Sequence, residues 1–117
     1  MNIERLHVGA RLSEVAIHQG VVYLAGQVAD DPSQDMASQT RQVLAAIDRL
    51  LAEADSDKTR ILQATIFVAD MAEFAAMNEV WDQWVVEGRT PPRATVQALL
   101  ARPEYRVEIK IVAAQAA

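Results

Sequence analysis

The chain contains no cysteine, so disulfides, thiolate nucleophiles and cysteine-ligated metals are excluded. Histidine is nearly absent too. His7 and His18 fall on separate β-prone segments with no metal-like cluster, and no metal site is expected. Glycine and proline number only four each, and no Gly/Ser-rich linker, repeat or low-complexity run divides the 117 residues. A single domain over residues 1–117 is expected. There is no Gly-rich phosphate loop, nucleotide fingerprint or nucleophile elbow. No run approaches the ~20 apolar residues that span a bilayer. The first residues also lack the apolar core of a signal peptide, so a cytoplasmic location without membrane contact is expected. Positive charge is short as well. A formal net charge of -5 opposes a phosphate-neutralising surface, and no nucleic-acid partner is expected.

What is present reads as an ordinary globular chain, 51 % hydrophobic and 23 % charged. Residues 3–8, 13–18 and 21–29 are β-prone, with a hairpin turn at Gln19-Gly20. Residues 34–54 carry Val43, Ile47, Leu50 and Leu51 at helical spacing, extended by Met36, Thr40 and Leu44. Residues 60–69 are apolar on both parities, with Ile61 and Phe67 on one and Leu62, Ile66 and Val68 on the other. That pattern predicts a central strand covered on both faces. Residues 71–87 form a second amphipathic pattern through Phe74, Met77, Trp81, Trp84 and Val85. Asp70 and Glu73 are spaced as a capping box, and Gly88 is placed to end the helix. Two last strands are expected at 93–100 and 106–113. The order is β-β-β-α-β-α-β-β, an α+β fold. Two helices can cover only one face of such a sheet, so the other face predicts a closed homo-oligomer with clefts between subunits.

Arg93 and Glu108 stand out chemically. Pro91-Pro92 fixes an extended approach to Arg93, whose guanidinium could grip a carboxylate with two parallel hydrogen bonds. A surface arginine after a loop would leave the same pattern. Glu108 sits between Val107 and Ile109 and shares a face with Lys110 and Val112. It is either a partner of a nearby arginine on a solvated face or a carboxylate able to shuttle a proton in a partly apolar cleft. Asn78 lies beside the aromatic stripe and could simply bond along its helix. Gly26 interrupts the third strand, marking a bulge, a close backbone approach or plain packing.

These segments, in their order, resemble the RidA/YjgF family of reactive-intermediate imine deaminases, and within it the YoaB-like branch. The resemblance spans nearly the whole chain. It is carried by Val22-Tyr23-Leu24-Ala25-Gly26-Gln27, the helix from Gln39 to Leu51, Ala64-Thr65-Ile66-Phe67-Val68-Ala69-Asp70, Phe74-Ala75-Ala76-Met77-Asn78, Pro91-Pro92-Arg93-Ala94-Thr95-Val96 and Val107-Glu108-Ile109. It implies a chorismate-mutase-like homotrimer with a central barrel, helices outside and three clefts at subunit interfaces. It further implies hydrolysis of 2-imino acids or their enamine tautomers, of the 2-aminoacrylate, 2-iminopropanoate or 2-iminobutanoate type, to 2-keto acids and ammonia, without metal or cofactor.

Under this resemblance Arg93 holds the substrate carboxylate and Glu108 positions and activates water. Thr95 stands where backbone groups contact the ligand, and Gly26 and Asn78 match further cleft residues. Two positions depart from the archetype, which has tyrosine in place of Leu12 and serine in place of Ala25. Both changes remove a cleft hydroxyl, which implies altered substrate choice or weaker activity on the usual imines. A non-enzymatic small-acid binder or regulator is the alternative. An endoribonuclease or translation inhibitor, an activity attributed to some relatives, is disfavoured by the acidic balance.

Overall fold

The computed structural model describes residues 2–116. Six strands form one mixed sheet: β1 (Glu4–Val8), β2 (Ser13–His18), β3 (Val21–Leu24), β4 (Ile61–Val68), β5 (Arg93–Gln97) and β6 (Val107–Ala114). Their spatial order is β1-β2-β3-β6-β4-β5. All neighbours are antiparallel except β4 and β5, which run parallel. That parallel pair needs a crossover, and α2 (Phe74–Trp84) supplies it. The other helix, α1 (Met36–Glu53), joins β3 to the 3-10 turn before β4. The α+β order matches the one expected.

Both helices lie on one face. Val15, Ile17, Val22, Leu24, Ala64, Ile66, Val68, Val107, Ile109, Ile111 and Ala113 point from the sheet into a core shared with α1 and α2. Helix α1 buries Met36, Gln39, Thr40, Val43, Leu44, Ile47, Leu50 and Leu51, the stripe read from its sequence. Asp35 caps it by accepting from the Ser38 N–H. That backbone hydrogen bond is the main cause holding the Asp35 carboxyl below its ordinary pKa.

Several details differ from the sequence reading, and β5 ends at Gln97 instead of running to residue 100. Strand β3 ends at Leu24 instead of running to residue 29; beyond it only an isolated bridge joins Gln27 to Ile109. A bulge between Ile61 and Gln63 throws Leu62 out of its expected row, leaving it half exposed. The capping box does not close. Asp70 caps a short 3-10 turn at Met71–Glu73, and the Glu73 carboxylate binds Arg106 instead. Helix α2 stops at Trp84, with Val85 already extended, so Gly88 serves a later turn at φ 80°. Val80, absent from the expected stripe, is buried, while Phe74, Trp84 and Val85 are only partly covered.

The opposite face carries Ala16, Tyr23, Thr65, Phe67, Ala94, Val96, Glu108, Lys110 and Val112, by alternation and register. Tyr23 is 48 % exposed and Val96 45 %. No helix of the described residues is long and apolar enough to cross a membrane.

Candidate active site

Strand β5 sets the position of Arg93. The strand begins directly after Pro91-Pro92, and the Pro92 carbonyl accepts from the Ala64 N–H at 3.0 Å, which starts the parallel ladder. Arg93 then pairs with Ala64, Thr95 with Ile66 and Gln97 with Val68. Ala64, Ile66 and Val68 are buried under the helices, so Arg93 and Thr95 belong to the helix-side face. The Arg93 Cζ lies 5.8 Å from the Phe74 ring centroid and 5.4 Å from that of Trp81. Phe74, Asn78 and Trp81 recur at i, i+4 and i+7 and so share one face of α2. Asn78 thus stands between the two rings that bracket the guanidinium. The Asn78 Oδ1 and Thr95 Oγ1 atoms are buried without a hydrogen-bond partner. Arg93 itself makes no salt bridge among the described residues.

Glu108 sits on β6 opposite Phe67. Its carboxylate packs on Gly26, in the volume a Cβ there would occupy; the Cδ atom is 2.9 Å from that point. A side chain at position 26 would therefore displace the Glu108 carboxylate from this place. Just beyond, Gln27 is buried, exchanges both backbone hydrogen bonds with Ile109, and donates from Nε2 to Glu14 Oε2 at 2.7 Å and to the Ala25 carbonyl at 3.0 Å. This pins the segment that carries Ala25 and Gly26. Leu12 lies in the β1–β2 turn, where its carbonyl accepts from Gly9, and it is 55 % exposed.

Seven expected site residues therefore fall into separate groups. Arg93, Thr95 and Asn78 gather around α2. Glu108, Gly26 and Ala25 gather at the end of β3, with Leu12 in a turn further along. Ala64 and Phe67 differ by an odd number of residues, so their register partners Arg93 and Glu108 point to opposite faces of the sheet. Strand spacings put their Cα atoms roughly 14 Å apart. One small molecule cannot touch both within a single chain.

Of the cavities, one lies between the helices and one reaches Gly26. A groove of about 250 Å³ runs between α1 and α2, lined by Arg41, Leu44, Asp48 and Trp84 among others. A second, of about 380 Å³, is lined by His7, Glu14, Gly26, Gln27, Asp30 and Arg49. His7 binds Glu53 at 2.6 Å, and His18 Nδ1 lies 3.4 Å from the Asn2 carbonyl. The sequence reading missed the Glu14–Gln27 pair and the aromatic bracket of Arg93. The helical spacing of Phe74, Asn78 and Trp81 was the available signal for the bracket.

Comparison with known proteins gives a consistent set. The family model described as Endoribonuclease L-PSP matches residues 2–115. The RutC family protein YoaB of Escherichia coli is 51 % identical over 114 residues, 97 % of this chain and 99 % of that one. A crystal structure of a member of the YjgF protein family from Neisseria meningitidis superimposes with a TM-score of 0.97 at 49 % identity, covering 100 % of this chain and 98 % of that one. At greater distance, the 2-iminobutanoate/2-iminopropanoate deaminase of Rattus norvegicus is 28 % identical over 109 residues, 88 % of this chain and 79 % of that one.

Proposed function

The chain belongs to the RidA/YjgF family, beside its YoaB-like RutC proteins, and on that premise we propose that it hydrolyses small 2-imino acids to 2-keto acids and ammonia in clefts between copies of a homotrimer. The observation that carries this reading is the placement of Arg93 and Glu108 on opposite faces of one sheet. A site using both must join the Arg93 of one copy to the Glu108 of another. The exposed Tyr23 and Val96 on the uncovered face supply apolar surface for that assembly. The more distant deaminase relative supports the substrate class.

In the proposed reaction Arg93 takes the substrate carboxylate end-on through two N–H donors, which fixes the imine carbon at a set distance. Glu108 of the neighbouring copy accepts a proton from water as the water oxygen bonds to that carbon. The C=N bond becomes single, and the nitrogen takes up a proton. The carbinolamine then collapses: its C–N bond breaks, ammonia leaves, and the hydroxyl loses its proton as C=O forms. Acid, base and water suffice for the atom balance. Gly26 leaves room for the Glu108 carboxylate to sit over the backbone.

Leu12 and Ala25 favour a second reading, binding without turnover, because neither side chain can orient a polar group. A coupled assay separates the two. An amino-acid oxidase generates a panel of 2-imino acids in the presence of semicarbazide, which traps free imine. Loss of semicarbazone on adding the protein, but not its Arg93→Ala variant, is the expected result. Undiminished semicarbazone across the panel with the oligomer intact would favour the binding role.

A further inference from the structure

An arginine that must meet a substrate carboxylate has to be held in place without being neutralised. A protein carboxylate would fix it but would compete with the ligand. In this chain no acidic side chain pairs with Arg93 among the described residues. Two aromatic rings approach it instead, Trp81 at 5.4 Å and Phe74 at 5.8 Å from Cζ to centroid. A ring face attracts a guanidinium through its quadrupole while forming no hydrogen bond to its N–H groups. The rings also lie on one face of a helix packed on the core, so they are rigid relative to β5. Trp81 is held further by its neighbour Trp84, with centroids 5.4 Å apart. Trp84 in turn donates from Nε1 to Asp48 of α1 at 3.0 Å.

We propose that Phe74 and Trp81 are positioning residues for the carboxylate clamp: their rings hold the Arg93 guanidinium aimed and unneutralised, and so set affinity for the substrate carboxylate. This rests on the reading of Arg93 given above. The clamp holds the carboxylate in ground and transition states alike, so loss of a ring acts on KM more than on kcat. The bracket also gives the otherwise unpaired Arg93 a defined resting place at a partly exposed strand edge.

The test uses the assembled protein and the coupled assay, together with calorimetric titration of 2-oxobutanoate as a non-reacting carboxylate probe. Phe74→Leu keeps apolar bulk and removes the ring; Phe74→Tyr keeps the ring. The leucine variant should raise KM and the probe Kd about 10-fold, with kcat within about twofold of the parent. The tyrosine variant should restore parental values. Trp81→Leu should behave like Phe74→Leu, and Trp81→Phe should largely rescue it. On an Arg93→Ala background, Phe74→Leu should add nothing to the loss of probe binding. Equal losses for the leucine and tyrosine variants, or a Phe74→Leu effect that persists without Arg93, would overturn the proposal and make the rings plain packing. Parental probe binding by Arg93→Ala alone would instead sink the clamp reading itself.

Discussion

A methyl group added at position 26 would come within 2.9 Å of Glu108 Cδ and closer still to its Oε2. The obstructing atoms are the end of a flexible side chain, so the backbone has no need to move. Gly26 has no positive φ to protect. Gly26→Ala should therefore leave stability within about 1 kcal/mol of the parent. The Glu108 carboxylate, however, must swing out of its place. If it activates water there, kcat should fall about 10- to 100-fold, since a displacement of about 1 Å can cost that much. Thermal unfolding and the imine assay on the same sample check both halves. A parental rate would mean that the carboxylate acts from another position. At this scale the sequence was legible for residue type and not for direction. Arg93 and Glu108 were visible as an arginine led in by prolines and a glutamate among aliphatics. The parallel register of β5 with Ala64 and Ile66 turns Arg93 and Thr95 toward the helices and leaves Ala94 and Val96 exposed. Register between distant strands leaves no mark on either segment alone.

Among the elements, α1 is fastened to the start of β6 by one buried side chain. Gln39 is fully buried, and its Nε2 donates to the carbonyls of Pro32, Gln34 and Glu104. Its Oε1 accepts from the Arg106 N–H at 2.9 Å. Next to it Arg106 binds Glu73, so α1, the turn before α2 and β6 converge two residues before Glu108. Gln39→Leu preserves bulk but strands a buried N–H and several carbonyls. It should destabilise the fold by about 3 kcal/mol, measured as a shift in the urea midpoint at unchanged m-value. A loss under about 1 kcal/mol would show that water reaches these groups. Helical elements were the more legible in sequence, because the α1 stripe is periodic and locally capped. One misreading has a long-range cause: Glu73 was drawn from its local capping role by Arg106.

For the whole molecule, the proposed site needs two copies, and subunit mixing tests this directly. Arg93→Ala and Glu108→Gln proteins should each be inactive. Unfolded together and refolded in equal amounts, they should recover about a quarter of parental activity, the share of clefts that draw each residue from a competent neighbour. No recovery, with mixed trimers shown by mass spectrometry, would place both residues in the same half-site. The expectation of an uncovered apolar face came from counting helices against strands, and it was legible for that reason. The partition of the site between faces was not, because it depends on which side of the sheet the helices chose.

That partition carries a genetic consequence. In the proposed cyclic trimer each chain would serve two clefts, giving Arg93 to one and Glu108 to the next. A chain defective in both spoils two clefts when built in with intact partners. Co-expressed at parity with the intact chain, it should leave about a quarter of the clefts working, whereas a self-contained site would keep about half. A single-residue lesion at either position spoils only one cleft per copy. The double lesion should thus be partially dominant, each lesion alone nearly additive, and the two single alleles should complement each other in the same cell.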